Sequence, residues 1–137
     1  MLCINSNVNS KLDLNSLVVS QESIATDSVA RALQGLVSIV KETGEVMPSS
    51  AFSKLNNNQQ ILAYLLGLRA CALLGLGNKR VAASAEEIAG VIGSDTQRAR
   101  EHLSRLKGKF LQKTPDGWQL IVPKISAVCD EIINSRK

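Results

Sequence analysis

Residues 81–106 read VAASAEEIAGVIGSDTQRAREHLSRL and predict two short helices separated by a tight turn. Ser84 is followed three residues later by Glu87, a capping-box pattern in which each side chain can bond a backbone N–H of the first helical turn. The apolar side of this first helix consists of Ile88, Ala89 and Ile92. Gly93 is expected to end it, because glycine is common just after the last helical residue.

A second helix and a hairpin are predicted to follow. Ser94 or Asp95 caps the second helix, which runs to about Lys107. Two short strands are expected at 110–113 and 118–122, and the Pro-Asp-Gly sequence between them is a strong turn signal. The order of elements is therefore helix, turn, helix and hairpin.

This order resembles the winged helix-turn-helix family of DNA-binding proteins, and the resemblance covers residues 57–122. The residues that match the family's helices are Ile88, Ala89, Ile92, Gly93, Ala99, Leu103 and Leu106. The resemblance implies that the second helix is a recognition helix and that residues 114–118 form the tip of a wing. Family members usually have glycine where this chain has Phe110, whereas the glycine here is Gly108. The recognition helix therefore either stops early or continues by one turn.

The net charge of +4 is concentrated in the same part of the chain. Residues 1–56 carry a net charge of −1, and residues 57–137 carry +5. Residues 96–113 alone contain six lysines and arginines against one glutamate. Most charge runs are solvated helix faces, but cations concentrated on one helix and its hairpin indicate a polyanionic partner.

On a helical wheel at 100° per residue, the second helix has an apolar side and a polar ridge opposite to it. The apolar side consists of Ala99, Leu103 and Leu106. The ridge consists of Gln97, Glu101 and Ser104. The two edges of the ridge carry Arg98 and Arg105 on one side, and Arg100 and Lys107 on the other. Such a helix suits the major groove of DNA, where the ridge faces base edges and the flanks reach the two phosphate walls.

The candidate DNA-binding residues come from the turn, the recognition helix and the wing. They are Ser94, Thr96, Gln97, Arg98, Arg100, Glu101, Ser104, Arg105, Lys107, Lys109 and Lys113. Gln97 is either a base contact or a solvated residue of the first turn. Glu101 either accepts a hydrogen bond from cytosine or pairs with Arg98 or Arg105, and the ion pair is the favoured interpretation.

Four further side chains near the helix and the wing have alternative interpretations. Lys109 and Lys113 either bind phosphate beside the wing or are simply exposed strand positions. His102 is expected at the border of the core, and Trp118 is expected to pack beneath the wing.

The whole chain is predicted to consist of a flexible polar arm, residues 1–25, and a winged-helix domain, residues 26–137. Within that domain the helix-turn-helix is assigned to 84–107, the wing to 110–122 and a C-terminal helix to 123–135. The predicted fold class is therefore mainly α with a small β-hairpin wing, extended by extra N- and C-terminal helices.

The extra helices are predicted from apolar residues at helical spacing. An N-terminal helix of about four turns begins at Asp27 and stops at Gly44, and its apolar residues are Val29, Leu33, Leu36, Val37 and Val40. The C-terminal stripe is either core or a dimer seam, and the seam is favoured. Its residues are Ile125, Val128, Cys129, Ile132 and Ile133.

A homodimer is predicted from the helix at residues 59–74, which is apolar on nearly every side. A helix that is apolar all round must be covered all round. A single chain of this length is expected to have difficulty covering it, whereas a dimer through the apolar helices covers it readily. The apolar run at 61–76 contains Arg69 and falls short of the roughly 20 residues that span a bilayer, so no membrane segment is expected.

The leading prediction is sequence-specific binding of double-stranded DNA by a cytoplasmic homodimer that regulates transcription. One histidine and three scattered cysteines provide no metal or cofactor site, no catalytic set is visible, and no small-molecule ligand is evident, so enzymatic activity is not expected. Two alternatives remain. Winged-helix domains also serve as protein-interaction modules in larger assemblies, and the same surface suits a plasmid or virus replication or partition protein that binds DNA.

Overall fold

The computed structural model describes residues 26–76 and 80–135, so the predicted arm at 1–25 lies outside the described residues. The helices and strands are, in chain order, α1 (Thr26–Leu33), β1 (Val37–Ile39), β2 (Val46–Pro48), α2 (Asn57–Leu73), α3 (Ala85–Ile92), α4 (Thr96–Leu106), β3 (Leu111–Thr114), β4 (Gly117–Leu120) and α5 (Ile125–Ser135). Short 3₁₀ turns precede α2 and α5. The described part of the chain is thus mainly helical, with two antiparallel hairpins, β1–β2 and β3–β4.

The predicted four-turn helix at the N-terminal end is wrong beyond its first two turns. Helix α1 ends at Leu33, Leu36 lies in the turn that follows, and Val37 and Ile39 belong to strand β1, which pairs with β2 through Ser38 and Met47. Val37 and Ile39 are β-branched and stiff at χ1, a property that favours the pleated backbone of a strand over a helix. The helical spacing of Val37 with Leu33 was therefore a misleading signal.

Helix α2 forms the centre of the core. Asn56 and Gln59 make a complete capping box at its start, in which each side chain accepts from the other residue's backbone N–H. Helices α1, α3, α4 and α5 and three of the four strands contact it, and every residue from 60 to 69 is buried. The single chain therefore covers this helix by itself, so the apolar character of α2 is no reason to expect a dimer. None of the helices in the described part of the chain has the length and apolar character needed to cross a membrane.

The stripe on α5 belongs to the core of its own chain, so the favoured dimer seam is wrong. Ile125, Val128, Cys129 and Ile132 are all buried against α1 and α2. Burial raises the pKa of the Cys129 thiol to about 11, and it also raises the pKa of the Cys71 thiol. Both cysteines are therefore protonated packing residues at neutral pH.

The buried side of α2 contains one cation, Arg69, which is only 5% exposed. Its Nη2 donates to the carbonyl oxygen of Leu120 at 3.4 Å, and its Nε has no hydrogen-bond partner. Within residues 26–76 and 80–135 no carboxylate forms an ion pair with it. Burial accordingly lowers the pKa of the guanidinium.

Because an unpaired buried charge destabilises the folded state, we expect Arg69→Met to raise the free energy of unfolding by about 1 kcal/mol or more. Methionine keeps the length of the side chain without the charge. Urea denaturation of both proteins measures the difference. Arg69→Ala is the control, since it removes the charge but leaves a cavity. A Met variant less stable than the parent would show that the bond to Leu120 outweighs the cost of desolvation.

Candidate nucleic-acid interface

Helix α3 is capped by Ser84, whose Oγ accepts from the backbone N–H of Glu87 at 3.1 Å. The second half of the predicted capping box is not formed. The Glu87 carboxylate instead accepts from Tyr64 Oη at 2.6 Å and from Arg80 Nη1 at 2.6 Å. Glu87 is therefore used to attach α3 to α2 and to the segment that precedes α3.

The electrostatics of this three-residue cluster stabilise its charged pair. The bond from Arg80 is the main reason that the pKa of Glu87 is lowered, and the bond to Glu87 raises the pKa of Arg80. Burial, reinforced by the hydrogen bond to Glu87, raises the pKa of Tyr64 to about 12. The tyrosine thus remains a neutral donor and the carboxylate remains ionised at neutral pH. The cluster holds the first turn of α3 in place.

Both ends of helix α4 are well defined. Asp95, rather than Ser94, is its cap: the Asp95 Oδ1 accepts from the backbone N–H of Arg98 at 2.7 Å. The helix stops early, at Leu106, because Lys107 is extended and Gly108 adopts φ +82, a conformation that favours glycine. Phe110 is then buried in the core, which explains why this position does not carry glycine.

The predicted orientation of α4 is confirmed. Ala99, Leu103 and Leu106 are buried, whereas the ridge and its edges are exposed. The exposed residues of the helix are Gln97, Arg98, Arg100, Glu101, Ser104 and Arg105. Lys107, predicted on one edge of the ridge, is exposed but lies just beyond the end of α4. Of the other two candidates near the turn, Thr96 is half-buried and Ser94 donates its hydroxyl to the Asp95 carbonyl at 3.0 Å.

His102 is half-buried at the border of the core, as expected. Its Nδ1 lies 2.9 Å from Asn58 Oδ1, and its Nε2 lies 3.4 Å from Asn57 Nδ2. The imidazole therefore connects the middle of α4 to the first turn of α2.

Two of the three arginines on α4 have no ion-pair partner among the residues that the structure describes. In the described part of the chain, the only ion pair that involves this helix joins Arg100 Nη2 to Glu86 Oε1 at 3.7 Å, between two exposed side chains. The favoured ion pair of Glu101 with Arg98 or Arg105 is absent there, so that interpretation is wrong. The guanidinium groups on the outer side of α4 are consequently available to an external anion.

The hairpin beside α4 is shorter than the sequence indicated, but its turn is confirmed. Strands β3 and β4 are joined by Pro115 and Asp116 alone. Trp118 is buried beneath the hairpin, and its backbone exchanges two hydrogen bonds with Ala83, at 2.8 and 3.0 Å. Gly117 packs directly on Ala83, because a Cβ at this position would lie 2.6 Å from the Ala83 carbonyl oxygen.

Lys109 and Lys113 are both exposed at the hairpin. Lys109 Nζ lies 5.3 Å from the centroid of the Phe110 ring, and Lys113 Nζ lies 5.8 Å from that of Trp118. Each ammonium thus contacts an aromatic ring within the range of a cation–π interaction.

A cleft of about 560 Å³ opens where α3, α4 and the hairpin meet. It brings together three of the candidates: Arg100, Ser104 and Lys113. Two acidic residues that the sequence did not single out, Glu86 and Asp116, also line it. Glu86 lies in the first turn of α3, just after its cap, and Asp116 lies in the hairpin turn. The cap and turn signals in the sequence could therefore have located both residues. The other candidates on α4 do not line this cleft.

A second concavity, which we call the apolar groove, lies at the other end of α2. It has a volume of about 560 Å³ and is lined by Val29, Ala30, Leu33, Gln34, Val37, Ile39, Ala70, Leu73 and Leu74. Leu74 is 66% exposed. Because α2 has 17 residues and rises about 1.5 Å per residue, the groove is about 25 Å from the end of α2 that contacts His102.

In the described residues no three His, Cys, Asp or Glu side chains are grouped as a metal site. Neither the protein-family models, nor the curated proteins, nor the solved structures compared with this chain give a match.

Proposed function

We propose that this protein is a winged helix-turn-helix regulator of transcription that binds double-stranded DNA as a homodimer. The observation that supports the proposal is the exposed side of α4, where Arg98 and Arg105 have no ion-pair partner in the described residues, and neither has Lys107 directly after the helix. Two unpaired arginines on one short helix, followed by an unpaired lysine, form a surface that a polyanion neutralises. The buried free thiols, Cys71 and Cys129, are compatible with the cytoplasm as its compartment.

In this proposal α4 enters the major groove and β3–β4 acts as the wing. A major groove about 12 Å wide admits an α-helix. Helix α4 has 11 residues and would extend about 16 Å along the groove. Gln97 and Arg98, in its first turn, face base edges. The remaining cations bind phosphate: Arg100 and Arg105 from the helix, Lys107 from the residue after it, and Lys109 and Lys113 from the wing. The short side chains of Ser94, Thr96 and Ser104 add neutral contacts.

Selection from a random duplex library tests this proposal. We expect enrichment of a two-fold repeat whose half-sites are about 10 base pairs apart, the spacing of one DNA turn. Enrichment of one class of duplex would establish both the partner and its sequence specificity. Failure to bind any duplex at low salt would contradict the proposal and favour a protein-interaction module.

The proposed homodimer is supported by the apolar groove and by Leu74 beside it. A two-fold interface uses the same patch on both subunits, so it needs a projection and a recess that are complementary. Leu74, a lining residue that is 66% exposed, supplies the projection, and the rest of the groove supplies the recess. This surface also leaves α4 free, because α4 contacts the opposite end of α2 through His102, and no residue of β3 or β4 lines the groove.

We expect light scattering at micromolar concentration to give twice the 14.7 kDa mass of one chain. Leu74→Asp should shift the protein to the monomer, because it places a charge in an apolar interface. Met47→Asp is the matched control: Met47 is 52% exposed, and its strand β2 does not line the groove. A parent protein that stays monomeric would rule out the dimer.

The proposed docking assigns base recognition and phosphate binding to different residues. We expect Gln97→Ala or Arg98→Ala to weaken binding to the preferred duplex by about 1–3 kcal/mol and to reduce the affinity for unrelated duplexes less. Lys113→Ala should instead weaken all duplexes alike and reduce the salt slope of the dimer by about two units, because each of the two subunits neutralises one phosphate fewer and each phosphate contributes about 0.9. Fluorescence anisotropy with preferred and scrambled duplexes measures both effects.

All three side chains are exposed, so circular dichroism should show unchanged folds. If Lys113→Ala altered sequence preference while Gln97→Ala and Arg98→Ala acted uniformly, the wing would be the reading element and the assigned docking would be wrong.

A further inference from the structure

Glu101 is the only carboxylate on α4, and it differs from the neighbouring acidic residues in having no ion-pair partner among the described residues. Glu86 pairs with Arg100, and Glu87 binds both Arg80 and Tyr64. Asp95 caps the helix. Among residues 26–76 and 80–135, no ion pair or side-chain hydrogen bond involves Glu101, so its oxygens are free to accept from a ligand.

The position of Glu101 makes its free carboxylate unfavourable for simple phosphate binding. It lies near the middle of α4, opposite the buried side chains of Ala99 and Leu103. Arg98 and Arg105 lie one turn away on either side along the helix, yet neither pairs with it. A negative charge at the centre of a surface that faces phosphates is repelled by every duplex, whatever its sequence. Such a group improves binding only where a donor meets it.

We propose that Glu101 is a specificity-determining residue that accepts a hydrogen bond from the N4 amino group of cytosine in the major groove. The proposal depends on the function proposed above, because it requires α4 to lie in that groove. The major-groove edge of cytosine presents a donor, and a carboxylate accepts from it. Guanine and thymine present acceptors at the same edge, so a carboxylate is repelled by them.

Adenine is disfavoured for a different reason. It presents the N6 donor beside the N7 acceptor, and a carboxylate that approaches N6 is repelled by the N7 lone pair. An amide satisfies both atoms, since it accepts from N6 and donates to N7. Glu101→Gln should therefore change the preferred base from cytosine to adenine at one position, without a change in the size of the side chain.

The experiment uses the full chain and the duplex that selection enriches. The cytosines of a half-site are replaced one at a time, in both half-sites, by 2-pyrimidinone, which lacks the N4 amino group. The affinity for each modified duplex is measured by fluorescence anisotropy. At one cytosine we expect the wild-type protein to lose about tenfold in affinity. Glu101→Ala should be insensitive to the same replacement, and it should bind unrelated duplexes more tightly than the wild type because a repulsive charge is gone.

Glu86→Gln is the matched control for net charge, because Glu86 is exposed but lies on α3 rather than on the outer side of α4. It should keep the preference for cytosine. If the wild type selects a duplex and Glu101→Ala keeps the same preference at every position, the role of Glu101 is refuted and the DNA-binding function stands. If the wild type binds no duplex at low salt, the proposed function is refuted and the role of Glu101 with it.

Discussion

Raising the salt concentration from about 50 to about 200 mM should weaken binding to the preferred duplex about 10³- to 10⁴-fold. Residues 96–113 contribute six lysines and arginines per chain. If three or four of them meet phosphate, a dimer neutralises about six to eight phosphates, and each contributes about −0.9 to the slope of log K against log salt. The expected slope is therefore about −5 to −7. Anisotropy titrations at four or more salt concentrations measure it.

This expectation depends on the cations being unpaired before DNA arrives. Arg98, Arg105 and Lys107 have no ion pair to exchange in the described chain, whereas Arg100 must leave Glu86 at 3.7 Å. Glu86→Gln should therefore raise affinity slightly without a steeper slope. A slope near zero for the parent protein would mean that phosphate contacts do not dominate, and it would favour a protein partner for this surface.

Gly117→Ala should lower the free energy of unfolding by about 2–4 kcal/mol and reduce affinity for all duplexes, because it displaces the hairpin. Two effects combine at this position. Gly117 adopts φ +127, which an L side chain rarely adopts, and a Cβ would lie 2.6 Å from the Ala83 carbonyl oxygen and 2.8 Å from its carbon. The backbone of Ala83 cannot move aside without breaking its two bonds to Trp118. Thermal or urea unfolding measures the loss of stability.

Gly108→Ala is the control that separates the two effects. Its φ is +82, but no atom lies within 4 Å of a Cβ placed there. Its loss of unfolding free energy should therefore come from conformational strain alone. The additional loss in Gly117→Ala then measures the cost of the clash with Ala83. Equal effects of the two substitutions would mean that the hairpin moves away from Ala83 at little cost.

The parts of the fold that local signals control could be predicted from the sequence. Helices α3 and α4 have caps and apolar periodicity within one or two turns, and Asp95 and Gly93 mark their boundaries. The exposed side of α4 followed from the same periodicity. The hairpin turn followed from the Pro-Asp-Gly sequence, which predicts a tight turn.

Features that depend on distant residues could not be predicted. The strand at 37–39 pairs with residues 46–48, and both strands pack on α2, which lies further along the chain. The carboxylate of Glu87 matches a capping box, but its partner Tyr64 is 23 residues away. Glu101 has arginines at favourable spacing, yet an exposed pair of this kind contributes only about 0.2–0.5 kcal/mol and need not form.

The bridge between Ala83 and Trp118 also fixes the position of the hairpin relative to the helices. Ala83 immediately precedes the cap of α3, so the hairpin is connected to α3 and, through it, to α4. The surfaces proposed to contact the groove and the backbone therefore approach a duplex as one preorganised body. Little conformational entropy is then lost on association. Differences in affinity between duplexes should consequently be found mainly in how long each complex lasts, rather than in how fast it forms.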